Sequence, residues 1–140
     1  MLEINFYDLH TVEDSELTRV VCVCTYQGKF IYARKKEKQT YEIPGGHIED
    51  GENWMEAIKR ELYEEIGSKE AKIEPMCLYK ISTYGLLCYA EVSKLEKIPE
   101  GYEMDAIGLF DKEPDLNVLT YPESHHLFFE KVKQLRKEKK

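Results

Sequence analysis

The chain alternates between apolar runs of strand character and two stretches of helical period, and that alternation predicts the order of elements. Arg19 to Tyr26 (RVVCVCTY) is almost continuously apolar, as a buried strand requires. Gln27-Gly28 signals a tight turn, and Lys29 to Arg34 (KFIYAR) returns as the hairpin partner. Lys35 to Thr40 is a polar loop, after which Tyr41 to Pro44 forms a short strand that stops at Gly45 and Gly46. Met55, Ile58, Leu62 and Ile66 then recur at helical spacing, which predicts a helix over Asn53 to Ile66 with Gly67 as its left-handed exit. Ala71 to Ser82 and Tyr84 to Val92 read as two further strands, and Ile107 to Phe110 as a last short one. Leu127, Phe128, Val132 and Leu135 predict a closing helix from Ser124, its cap, to Lys137, with Arg136 to Lys140 fraying as a tail.

Mainly strands with one central and one terminal helix imply an α/β (α+β) fold: an α/β/α sandwich with a mixed central sheet between the helices. With 140 residues, 42% of them apolar, residues 1-140 suffice for a single domain with its own core. No internal repeat is evident.

Charge narrows the partners. A net charge of -7 argues against binding a nucleic acid polymer, which calls for basic stripes, so an anionic substrate has to be bridged by metal. No run approaches the roughly 18 apolar residues of a membrane span, and the start of the chain lacks the pattern of a signal peptide. The expected localisation is cytoplasmic. Cys22, Cys24, Cys77 and Cys88 fall inside strand-like segments, where free cysteine acts as a small buried hydrophobe. Cys22 and Cys24 share a strand face, but no further ligands at matched spacing suggest zinc.

The candidate chemistry lies in the first helix. Residues there advance about 100° each, so Glu64 and Glu65 flank Glu61 and all three carboxylates share one face. That face adjoins the apolar stripe. Like charges so spaced repel, and a divalent cation compensates them best. Arg60, four residues after Glu56 and four before Glu64, can hold a carboxylate in one orientation. Taken alone, the three glutamates would describe a solvated helix face.

The residues upstream change that reading. Gly46, five residues, Glu52, seven residues, then Arg60-Glu61-Leu62-Tyr63-Glu64-Glu65-Ile66-Gly67 resembles the signature of the Nudix hydrolase family, and Tyr41-Glu-Ile-Pro-Gly-Gly resembles its usual lead-in. The motif covers residues 46-68. Its one departure is Ser68, where an apolar residue is usual. The resemblance implies the Nudix fold and attack of water on a nucleotide pyrophosphate with Mg2+ or Mn2+. It further implies that Glu61, Glu64, Glu65 and the carbonyl of Gly45 are metal ligands steadied by Arg60 and Glu52. Glu61 is the first choice of general base. Members differ in this, some using a glutamate of a later loop, for which Glu103 and Glu100 are the candidates. Many relatives pair as homodimers, although no interface is legible in this chain.

Within the family the chain looks most like the MutT-type and YtkD-like nucleoside triphosphatases, on the Tyr41 lead-in and the run Ala90 to Lys97. The implied substrates are nucleoside triphosphates, including oxidised ones such as 8-oxo-dGTP, cleaved to monophosphate and pyrophosphate. Arg34 is a candidate phosphate ligand, and Phe110, Asn117 and Tyr121 candidate walls for a base. Tyr84 fits a dinucleoside polyphosphate hydrolase, the alternative along with other nucleoside-diphosphate-X substrates. The region Ser82 to Leu86 lacks the proline of ADP-ribose hydrolases. A binding module that has lost catalysis would show damage in the Arg60 to Glu65 block, and none is visible. His125 and His126, adjacent at the start of the last helix, read as surface or capping residues.

Overall fold

In the computed structural model, which describes residues 3–138, every predicted element forms and two short strands join them. The order is β1 (Asn5–Tyr7), β2 (Leu17–Tyr26), β3 (Lys29–Lys35), β4 (Tyr41–Glu42), β5 (Gly45–His47), α1 (Trp54–Ile66), β6 (Ser68–Ile81), β7 (Thr83–Leu95), β8 (Met104–Phe110) and α2 (Pro122–Glu138). Three-residue 3-10 turns lie at Asp14–Glu16 and Leu116–Val118. β1 and β5 are too short for any period to show in the sequence.

One mixed sheet runs β1-β6-β7-β2-β3-β4, with β5 paired to β2 and β8 to β3. The β2–β7 pairing is parallel and the others are antiparallel. The hairpin β2–β3 pairs only near its turn, where Cys24 faces Ile31 and Tyr26 faces Lys29. Gln27 and Gly28 both take positive φ there, at 51° and 82°, the turn whose twist matches the strands. Beyond Cys24 the strands diverge: the same edge of β2 takes β5 at Arg19 to Val21, and the same edge of β3 takes β4 at Ala33 and Arg34. The Tyr41–His47 segment thus fills a fork in the sheet. The Cys22 N–H donates to the Pro44 carbonyl at 2.9 Å, pinning the wedge.

This corrects the expectation that Gly45 and Gly46 end a strand and turn. They are a strand themselves, at ordinary φ, and they are glycines because of what lies against them. A Cβ on Gly45 would meet the Val20 carbonyl oxygen, and one on Gly46 would sit 2.6 Å from Glu61 Oε1.

Alternation along the strands splits the core into two layers. Cys22, Cys24, Ile31, Ala33, Leu86, Cys88 and Ala90 meet Ala57, Ile58, Leu62 and Ile66 of α1 on one face. Val23, Tyr32, Leu87 and Tyr89 meet Phe128, Phe129 and Val132 of α2 on the other. This is the α/β/α arrangement, and all four cysteines are buried and free within it. Among the described residues no helix is long and apolar enough to cross a membrane.

Boundaries shift in places. β6 and β7 extend to Ser68 and Leu95, joined at Ser82, whose φ is 65°. β8 begins at Met104, and α2 at Pro122, so Ser124 lies inside the first turn and Arg136 within the helix. A proline suits that opening position, where its missing N–H costs no hydrogen bond. Lys139 and Lys140 of the expected tail lie outside the described residues, as do Met1 and Leu2.

Candidate active site

The acidic helix is capped at both ends, which fixes the register of its carboxylates. The Asn53 side chain accepts from the Glu56 N–H, and Glu56 accepts from the Asn53 N–H in return, a reciprocal capping box. Gly67 takes φ 72° and donates to the Leu62 and Tyr63 carbonyls. Between the caps, Ala57, Ile58, Leu62 and Ile66 pack against the sheet, and Glu61 is carried down with them until only 9% of it is exposed.

Arg60 is the hub of the acidic cluster. Its Nε donates to Glu52 Oε2 at 2.6 Å, its Nη1 to Glu61 Oε1 at 2.7 Å, and its Nη2 to the His47 carbonyl at 2.9 Å and to Glu52 Oε1 at 3.0 Å. Glu64 Oε1 lies 3.6 Å from Nη1. One guanidinium therefore ties β5, the following loop and two turns of α1. Its bond to Arg60, with the Glu49 N–H, holds the Glu52 carboxyl below the usual range. Glu65 reaches the fork instead, accepting from the Gly45 N–H at 3.1 Å. Burial, then the charge of Glu61, pushes the carboxyls of Glu64 and Glu65 above their ordinary values, Glu65 far more. The cluster holds more negative charge than one arginine balances.

The cluster opens on a cleft with two lobes. The first, about 670 Å³, lies between α1, β5 and the loop before β8, and is lined by Arg60, Glu61, Glu64, Glu65, Lys35 and Glu103. The second, about 680 Å³, lies over the sheet against the start of α2, where Arg19, Glu42, Tyr79, Tyr121, Ser124 and His125 line it. Lys35, Gly45, Gly46, His47, Glu65 and Glu103 border both, so the two lobes share one rim.

The structure brings together Gly45, Arg60, Glu61, Glu64, Glu65 and, across the cleft, Glu103, whose Oε2 lies 3.1 Å from Lys35 Nζ. Glu52 stands behind Arg60. Glu100 is not brought in: it sits on the surface with Lys97. Tyr121 lines the second lobe, whereas the other expected substrate contacts are engaged elsewhere. The Arg34 guanidinium donates to both oxygens of Asp105, at 3.0 and 3.1 Å, and Phe110 packs edge-on against Tyr32 and Tyr41. Asn117 lies in the 3-10 turn, outside both lobes, and Tyr84 packs edge-on against Tyr7.

Arg19 and Lys35 were hidden from sequence reasoning, one inside a strand-like run and the other in a polar loop. Their signal was faint: each is the cation at an end of a hairpin strand. Arg19 Nη2 lies 2.9 Å from His47 Nε2 across the fork.

His125 and His126 also differ from expectation. Adjacent positions on a helix point about 100° apart, so one turned in and the other out. His125 is buried, its Nδ1 accepts from the Ile43 N–H at 3.0 Å, and it welds α2 to the fork. Burial holds its pKa down to about 4, from an ordinary 6.5. Between those values the unfolded chain binds a proton that the folded chain refuses, so stability falls as pH falls through that window. By pH 5 the loss is about 2 kcal/mol. Urea unfolding at pH 7 and pH 5 checks this: the difference shrinks by that amount in His125→Asn, and an equal difference in both proteins refutes it.

A mixed sheet between two helices, with an acidic helix face opening on a two-lobed cleft, defines the class of α/β/α sandwich to which the chain belongs. Residues 16–107, about two thirds of the chain, match the model of the NUDIX domain, and the chain belongs to that family. It is 33% identical over 54 residues to an RNA pyrophosphohydrolase of Shewanella denitrificans, a match covering 39% of this chain and 31% of that one. The chain thus spans about a third of the length of this curated relative. Its fold is that of the Bacillus subtilis pyrophosphohydrolase BsRppH, solved as a point mutant, with TM-score 0.77 at 23% identity over 94% of this chain and 90% of the other. A MutT structure associated with Aliivibrio salmonicida and Vibrio cholerae aligns with TM-score 0.59 at 23% identity, over 84% and 98%.

Proposed function

We propose that the chain is a divalent-metal-dependent pyrophosphohydrolase that cleaves the phosphoanhydride of a nucleoside 5′-triphosphate, oxidised purine nucleotides such as 8-oxo-dGTP included. The carrying observation is that an acidic lobe adjoins a second lobe walled by aromatic and cationic side chains, six residues bordering both. The residues present fit a cation: burial, and then the charge of Glu61, raises the carboxyls of Glu64 and Glu65 above their ordinary pKa, and a cation set among these oxygens relieves that repulsion. Glu61, Glu64, Glu65 and the Gly45 carbonyl would hold Mg2+ or Mn2+, hard oxygen ligands favouring Mg2+. Bound there, the metal screens phosphate oxygens and acidifies a water.

The chain's own residues do the rest. Arg60, backed by Glu52, fixes Glu61 through its Oε1, and Glu61, held at the floor of the acidic lobe, is the proposed base. Lys35 and His47 border both lobes and Arg19 lines the second, which suits them to the phosphate chain, while Tyr121 offers a face to the base. Glu103 closes the shell from the opposite wall. Glu103→Gln is expected to lower kcat about tenfold or more, and Glu100→Gln to leave it unchanged. Equal rates in both variants would remove Glu103 from the site.

A second reading is favoured by the names of the relatives: the triphosphate sits at the 5′ end of an RNA. The net charge of -7 then confines contact to the terminal nucleotides. The test supplies 8-oxo-dGTP, dGTP, ATP, a dinucleoside tetraphosphate and a 5′-triphosphorylated oligoribonucleotide with Mg2+, following pyrophosphate and orthophosphate release. Faster turnover of free triphosphates supports the first reading, and faster turnover of the oligonucleotide the second. No turnover of any substrate sinks both.

A further inference from the structure

A second group of metal-ligating side chains lies across the sheet from α1, between α2 and the segment that follows β8. We propose that Glu113, His126 and Glu130 form a binding site for a transition-metal cation of the Zn2+ type, distinct from the acidic cleft.

His126 and Glu130 stand four residues apart in α2, the spacing that sets two side chains on one helix face. Glu113 arrives from the connection between β8 and α2, so the three ligands join two elements. Their ligand atoms all lie within 4.8 Å of one another, and His126 Nδ1 is 2.8 and 3.1 Å from the two oxygens of Glu113. The edge of a tetrahedral zinc shell is about 3.3 Å, and Glu130, the exposed member of the three, is the side chain free to rotate and close it. Two carboxylates and an imidazole favour Zn2+, Co2+ or Ni2+ over Mg2+, and three protein ligands leave a position for water.

A second observation is a buried, unpartnered phenol that feels the charge of one of the three. Tyr32 is 2% exposed, and its hydroxyl has no hydrogen-bond partner among the described residues. Burial and then the negative charge of Glu113 suppress its ionisation, so the phenol lies within reach of that carboxylate's field. A ligating carboxylate ordinarily takes a hydrogen bond from a group behind it, and the Tyr32 hydroxyl is a donor awaiting that role. Such a cation would lock the opening turns of α2, which carry His125 and follow directly on Tyr121, against the 111–115 segment.

The test uses the full chain stripped with EDTA and returned to millimolar Mg2+ as a competitor for the acidic cleft, with Glu64→Gln run beside the wild type to register any Zn2+ that enters there. Titration with Zn2+ by calorimetry is expected to show one ion bound per chain and a raised melting temperature. His126→Gln and Glu130→Gln, both at solvent-accessible positions, are each expected to weaken binding tenfold or more, while Glu64→Gln leaves it unchanged. Absence of binding by the wild-type chain, binding unaltered in both variants, or loss of binding only in Glu64→Gln each overturns the proposal. Because no nucleotide is present, the outcome is independent of the proposed hydrolysis.

Discussion

Glu64→Gln is expected to slow Mg2+-dependent nucleotide turnover on the order of 10²–10³-fold without unfolding the protein, the range for losing one preorganised charge at a reacting centre. The substitution keeps volume and shape and removes one negative charge from a cluster that has too many. Arg60 touches Glu64 only loosely, at 3.6 Å, while its bonds to Glu61 and Glu52 at 2.6–2.7 Å remain. The scaffold of the site therefore survives. Without metal, the melting temperature is expected to stay level or rise, since a like-charge repulsion is relieved. With Mg2+, the wild-type chain gains stability by binding and the variant gains less. Steady-state rates, with melting curves in EDTA and in Mg2+, measure both effects. A fully active variant contradicts the assignment of Glu64 to the metal shell.

The two adjacent glycines of the fork are expected to fail in opposite ways. Gly46→Ala sets a methyl group 2.6–2.8 Å from the three carboxyl atoms of Glu61. The backbone cannot retreat, because Gly46 is paired with Val20 in the sheet. The flexible end of Glu61 yields instead and leaves Arg60 Nη1. Stability changes little, while turnover drops about 10²-fold, the cost of displacing a reacting group by an ångström. Gly45→Ala meets only the backbone of β2, the Val20 carbonyl and Val21 Cα at 3.1 Å. Nothing there is a movable tip, so β5 must separate from β2 and the loss appears in stability. Melting temperature and kcat, measured on both variants, separate the cases. A Gly46→Ala protein that is stable and fully active would show that the position of Glu61 is unimportant.

The helix was legible because its information is local: Asn53, Glu56 and Gly67 cap it, and Glu61, Glu64 and Glu65 share a face by helical geometry alone. The hairpin was legible from Gln27-Gly28, and the sheet between two helices from the order of the elements, while the assignment of Cys22, Val23 and Cys24 to alternate layers came from the structure. The fork was not. Gly45 and Gly46 read as a turn because glycine permits one, and only the approach of Val20 and Glu61 shows that they are small for lack of space.

The side chains outside the motif divide along the same line. Arg34 and Lys35 are neighbours with similar charge, yet Asp105 captures the first while the second reaches the cleft. Glu100 and Glu103 occupy one loop, and only Glu103 faces the acidic helix. His125 and His126 differ by one helical step, which sends one to the fork and the other to Glu113. By itself the sequence determined the elements, the acidic face and the family resemblance, since these depend on period, caps and spacing within a short span of chain. Which glutamate of a loop, which cation of a strand and which histidine of a pair joins the cleft was decided by the tertiary structure. Those contacts join residues tens of positions apart, and pairing across the sheet sets them.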